Sequence, residues 1–373
     1  MGIEFIDLKA QQKRLKSEID ARIAKVLAEG RYVMGPEVKE FETKLAAFGQ
    51  AKHALSCASG TDALILPMLA WNIGPGDAVF CPSFTFCATA EVIAHLGATP
   101  IFIDIDRDTY NIDADSLRFA IKEVKERGQL TPRAVIAVDL FGQSADYERI
   151  SAVTKEHGLK LIADSAQGFG STLHGHHPLH WADVTTTSFF PAKPLGCYGD
   201  GGAILTNDDE TAALLSSLRV HGQGTDKYDN VRVGINSRLD TLQAAILLPK
   251  LAIFADEIEK RNIIANRYID GLKGHVLRVP TVLDGVVSTW AQFTIEVQDH
   301  EAFATALKEK NIPTARYYPK PVHMQTAYEH YPCSGNGLPN TTDCMGQVIS
   351  LPMHPYLDEA LQDMIIETAV SVG

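Results

Sequence analysis

The run RAVIAVDLFGQSADYERISAVTKEHGLKLIAD, residues 133–164, decides the fold. Residues 133–142 are a short apolar run, rich in Val, Ile and Ala, that reads as a buried strand. Residues 146–157 follow with a helical pattern, and LKLIAD, 159–164, is a second strand. Strand, helix and strand in this order make a βαβ unit, which belongs to a parallel sheet covered on both faces.

The same alternation extends toward the N-terminus. HALSCAS (53–59), DAVFCP (77–82) and TPIFIDID (99–106) read as strands. Thr61 to Trp71, Thr85 to Leu96 and residues 113–127 read as the helices between them. Crossovers should be right-handed. Before them, Gly35-Pro36 opens a helix whose Val38, Phe41, Leu45 and Phe48 share one face. After Ala166 the pattern changes. VTTTSFF (184–190) and GGAILTN (201–207) are short strands flanking a Pro/Gly loop, and Leu239 to Glu259 is a long apolar helix. From about Asn262 smaller α+β units follow: strands at 290–297 and 348–355, helices at 299–310 and 357–371. The expectation is an α/β fold with two domains. Residues 1–260 form a large domain on a mostly parallel sheet, and 261–373 a smaller α+β domain.

The 373 residues include 34 basic and 46 acidic side chains, a formal net charge of −12. That balance disfavours nucleic acid and anionic membranes as partners. No stretch approaches the roughly 18 apolar residues of a membrane span. The start, MGIEFIDLKAQQ, carries no apolar signal core. The six cysteines show no CxxC pair. Together these features lead us to expect a cytoplasmic protein with reduced thiols and no membrane insertion.

In open α/β sheets ligands bind at the carboxyl ends of the strands, so reactive side chains there are the candidates. Ser59-Gly60-Thr61-Asp62 joins a strand to a helix. Free helix N–H groups, a glycine and a hydroxyl suit a phosphate, although Ser59 or Asp62 can equally serve as a plain helix cap. Asp164 closes a buried strand, where a carboxylate needs donors or a cation to stay ionised. Lys193 lies between Pro191 and Pro194 in a Gly-rich loop, neither helix nor strand interior. Compact apolar surroundings lower a lysine pKa and free its amine for covalent chemistry with a carbonyl. Lys193 follows Asp164 by 29 residues, and Ser188 precedes it by five. An amine, an acid and an anion site are what pyridoxal 5'-phosphate requires. Phe84 or Phe86 would supply an aromatic face for its ring, and the spacing leaves that choice open. The glycines at 168–170 and 199–202 do not form a dinucleotide fingerprint. His174, His176, His177 and His180 fit a hairpin tip better than a metal site, so no metal is expected.

These residues sit in stretches that resemble the DegT-type family of pyridoxal-phosphate-dependent sugar-nucleotide aminotransferases, with the aspartate-aminotransferase (type I) fold. The matching stretches are FIDLKAQQ, GPEVKEFE, SGTDAL, PSFTFCATAE, DSAQGFG, SFFPAKPLGCYGDGGAI, GINSRLDTLQAAIL, YYPKPVH and VISLPMHP, in order from Phe5 to residue 355. The resemblance implies roles. Lys193 bonds the cofactor and moves protons, Asp164 pairs with the pyridine nitrogen, and Gln167 partners the ring hydroxyl. Gly60, Thr61 and Ser188 hold the phosphate, and Phe86 matches the stacking ring better than Phe84. Asn236 and Arg238 would reach the site from a neighbouring subunit, so the active unit would be a homodimer with shared sites.

The branch most similar aminates C3 of a 3-keto-glucuronate on UDP, for bacterial surface polysaccharide. It implies L-glutamate as donor, and Arg238, Tyr318 and His323 as substrate contacts. The alternatives are a different 3-keto or 4-keto nucleotide sugar, or a cofactor-binding regulator without turnover. Lys193 stands where a dehydratase branch carries His, which disfavours dehydration. Departures from the family pattern are Asp200 in place of Glu, Ser165 in place of Ala, and Tyr317 where relatives often have His.

Overall fold

A computed structural model describes residues 3–226, 228–335 and 337–372. In chain order the elements begin with α1 (Leu8–Glu29), α2 (Pro36–Phe48), β1 (His53–Cys57), α3 (Gly60–Ala70), β2 (Asp77–Pro82), α4 (Ala88–His95) and β3 (Thr99–Ile103). They continue with α5 (Ala114–Arg127), β4 (Thr131–Val138), α6 (Tyr147–His157), β5 (Lys160–Asp164), β6 (Thr172–Leu173), β7 (Val184–Ser188) and β8 (Gly202–Thr206). The rest are α7 (Asp209–Leu218), α8 (Thr241–Leu272), β9 (Val286–Val287), β10 (Phe293–Glu296), α9 (His300–Glu309), α10 (Pro339–Met345), β11 (Val348–Leu351) and α11 (Glu359–Val372).

The central sheet has seven strands in the order β1-β8-β7-β5-β4-β2-β3. β3, β2, β4, β5 and β7 pair in parallel, whereas β8 is antiparallel to both β7 and β1. The sheet is thus α/β and mostly parallel. Its central strands are buried on both faces, which is why they read as continuous apolar runs instead of alternating ones.

Local chemistry sets the helix ends. Asp113, Asp146 and Asp208 accept amides of the first turns of α5, α6 and α7. Gly128 and Gly158 close α5 and α6 in the left-handed region, φ 64° and 67°.

Two helices differ from the sequence expectation. α4 begins at Ala88, not Thr85, because the Ser83 amide bonds Ile103 O at 3.2 Å and prolongs the extended chain past β2. α8 runs past Glu259 to Leu272, because Ile264, Ala265, Tyr268 and Leu272 remain buried. These four residues join β10, β11, α9 and α11 in one apolar cluster with Phe293, Ile295, Phe303, Ile349 and Ile365.

The histidine run forms a tight turn. His174 and Gly175 sit at its tip, and the His176 amide returns to Leu173 O at 3.0 Å. The rings of His176 and His180 stack at 4.2 Å, and His177 is buried. Among the described residues no helix is long and apolar enough to cross a membrane.

Phe254 of α8 is fully buried between the rings of Phe48 and Phe169, at 5.4 and 6.3 Å. Phe254→Ala should cost about 3–5 kcal/mol, the scale of a large core truncation. Chemical denaturation followed by circular dichroism checks it.

Candidate active site

The sheet register brings the candidate residues together. Asp164, the last residue of β5, lies beside Thr186 of β7, and Ser188 ends that strand. Ser188 pairs with Gly202, which pairs in turn with Cys57 at the end of β1. The carboxyl ends of β1, β5 and β7 therefore converge with the start of β8.

At the β1 end, Ser59 caps α3 by accepting the Asp62 amide at 3.0 Å. The amides of Gly60 and Thr61 find no acceptor within the chain among the described residues. They are the free donors that an anion at a helix N-terminus needs. The cradle is too tight for side chains. A Cβ on Gly60 would lie 2.7 Å from Ser188 Cβ, and one on Gly202 would lie 2.3 Å from Ser59 O. Close backbone approach thus explains both glycines.

Asp164 is buried, and desolvation raises its carboxyl pKa. The Ala166 amide, the Lys193 ammonium and the Thr89 hydroxyl oppose that rise. Ala166 N–H donates to Oδ1 at 3.1 Å and Thr89 Oγ1–H to Oδ2 at 3.4 Å. Lys193 shows the reciprocal effect. Burial lowers its pKa, and the Asp164 charge opposes the change. The loop between β7 and β8 carries this lysine in a fixed shape: Lys193 N–H bonds Phe190 O, Cys197 N–H bonds Phe189 O, and Phe189 N–H bonds Gly201 O.

Gln167 is buried. Its Oε1 accepts the Phe141 amide at 2.7 Å, and its Nε2 donates to Tyr318 Oη at 2.9 Å. Tyr318 thus sits against Gln167, and burial raises its phenol pKa. Phe84 is fully buried with its ring near those of Tyr110, Phe141 and Tyr318. Phe86 is 55% exposed, which leaves its ring free for a planar ligand. His323 is tied to Ser83. Ser83 Oγ accepts the His323 amide at 3.1 Å and lies 2.6 Å from Nδ1. Burial lowers the His323 pKa.

Asn236 and Arg238 are not drawn into this cluster by side-chain bonds. Asn236 is exposed and bridges Val220 through its backbone. Arg238 is half-buried, and its guanidinium makes no hydrogen bond or ion pair within the chain among the described residues. Three features escaped the sequence reading: Thr89 at Asp164, the buried Asp139 behind the same turn, and Lys250 on α8 against the Lys193 loop. Lys250 had a visible signal, a lone charge in the apolar run AAILLPKLAIF.

The residues fit pyridoxal 5'-phosphate. A buried carboxylate suits a pyridinium, a lysine whose pKa burial lowers suits its aldehyde, and the glycine cradle suits its phosphate. Gly60→Ala should weaken cofactor binding about tenfold or more in a fluorescence titration, since the helix N-terminus loses its close approach to the anion, while the fold survives. Asp164→Asn should bind cofactor through the phosphate yet lose most turnover, which steady-state kinetics on the loaded variant checks.

Comparisons with known proteins identify the family. Residues 13–370 match the DegT/DnrJ/EryC1/StrS aminotransferase family. The chain is 48% identical to the UDP-2-acetamido-2-deoxy-3-oxo-D-glucuronate aminotransferase of Pseudomonas aeruginosa, over 96% of this chain and 97% of that one. A DegT DnrJ EryC1 StrS aminotransferase from Brucella abortus superposes with a TM-score of 0.98 at 50% identity, covering 99% of each chain. The Bacillus subtilis protein NtdA, with bound cofactor PMP, superposes at 0.89 with 30% identity, covering 100% of this chain and 85% of that one. The chain belongs to the DegT/DnrJ/EryC1/StrS aminotransferase family and is a pyridoxal-phosphate-dependent aminotransferase.

Proposed function

We propose that this enzyme transfers the amino group of L-glutamate to C3 of UDP-2-acetamido-3-keto-glucuronate, in the cytoplasm, for a bacterial surface polysaccharide. The Asp164–Lys193 pair beside the glycine cradle carries the aminotransferase part of this reading. The 48% identity to the Pseudomonas aeruginosa enzyme supports the substrate part.

When bound, the cofactor supplies an electron sink and carries the amino group between two half-reactions. The chain's residues do the rest. Lys193 Nζ would hold the cofactor and would serve as the acid and base that moves a proton at the substrate carbon. Asp164 keeps the ring nitrogen protonated. Gly60, Thr61 and Ser188 bind the phosphate, Gln167 the ring hydroxyl, and Phe86 covers the ring.

The active unit in this reading is a homodimer. An exposed Asn236, and an Arg238 without a hydrogen-bond or ion-pair partner among the described residues, support their reaching a neighbouring site, where the Arg238 fork would suit a uronate carboxylate. Tyr318 and His323 would line the acceptor side of the pocket.

Arg238→Lys should weaken use of the uronate by about 1–3 kcal/mol, the scale of a charge-assisted hydrogen bond, and spare the half-reaction with glutamate. Kinetics with the uronate and with neutral 3-keto and 4-keto UDP-hexoses check this. Equal efficiency on the neutral sugars would overturn the uronate assignment. Mixing inactive Lys193→Ala and Asn236→Ala protomers should regenerate activity, because hybrid dimers carry one intact site. No recovery after proven subunit exchange would contradict site sharing.

A further inference from the structure

Lys250 is 2% exposed on α8, yet it has no ion pair among the described residues. Lysines are almost never buried in this way without a partner, and an apolar side chain of the same length would avoid the desolvation cost. Its ammonium does have two contacts. Nζ–H donates to Gly196 O at 2.6 Å, and Nζ lies 4.4 Å from the centre of the Tyr198 ring. Burial lowers its pKa to about 8, while Cys197 and Glu257 oppose that shift.

Both contacts are on the loop that carries Lys193. Gln243 lies two turns earlier on the same helix and holds the same segment. Its Oε1 accepts the Tyr198 amide at 2.9 Å, and its Nε2 donates to Tyr198 O at 3.5 Å. Gly196 has no slack on its other side, since a Cβ there would lie 2.5 Å from Pro191 O and 2.7 Å from Phe190 O. Phe190 O is the acceptor of the Lys193 amide. A displacement at Gly196 is therefore passed to the turn that holds Lys193. α8 also begins directly after the segment bearing Asn236 and Arg238.

We propose that Lys250 and Gln243 are positioning residues that clasp the Lys193 loop to α8, so that the cofactor-bonding amine and the Asn236–Arg238 segment keep one spacing. This rests on the reading of Lys193 as the lysine that bonds the cofactor.

The test compares Lys250→Met with the parent as holoenzymes. Met removes the desolvation cost of the buried charge but also the bond to Gly196 O, and these opposing effects should leave thermal unfolding little changed. The visible band of the lysine-bound cofactor should shift its pH midpoint, and the glutamate half-reaction should slow about 10–100-fold, the cost of misplacement near 1 Å. Cofactor affinity should change little. A parent-like band midpoint and rate would overturn the proposal. If Lys250→Met does not fold, Gln243→Leu carries the test: the same shift and slowing support the clasp, and a parent-like enzyme overturns it. A parent without any visible band that Lys193→Ala removes would instead overturn the reading of Lys193 itself.

Discussion

The side-by-side ending of β5 and β7, which brings Asp164 and the loop bearing Lys193 to one edge of the sheet, is the constraint on which the site depends. Each group alone is disfavoured by burial: the carboxyl pKa is raised and the amine pKa lowered. Each partly offsets the other's penalty. The sheet makes the pairing possible, because parallel β5 and β7 end side by side and the antiparallel return through β8 folds the Lys193 loop over them. A sheet with a different order would separate the acid from the amine.

The glycine cradle follows from the same register. Ser188, Gly202 and Cys57 lie in one row across three strands, which leaves Gly60 against Ser188 without room for a Cβ. The helix N-terminus, the hydroxyl and the lysine loop are thus set by one set of strand pairings. α8 secures the far side of that loop through Gln243 and Lys250.

Much of this was legible in the sequence because the relevant signals are local. Apolar runs alternating with helical patterns mark the βαβ units, and prolines around Lys193 exclude helix and strand there. The residues' spacing left the choice between Phe84 and Phe86 open, since both lie in one loop and only tertiary packing buries the first. The start of α4 and the full length of α8 also depend on distant partners: Ile103 for the one, the β10–β11 cluster for the other. Lys250 was passed over because an apolar helix reads as core, and a single buried charge shows its purpose only when its acceptor is known.

Borohydride reduction of the holoenzyme, followed by proteolysis and mass spectrometry, tests the role of Lys193 most directly. A single pyridoxyl label on Lys193 is the predicted result. A label on any other lysine, Lys250 included, would contradict it.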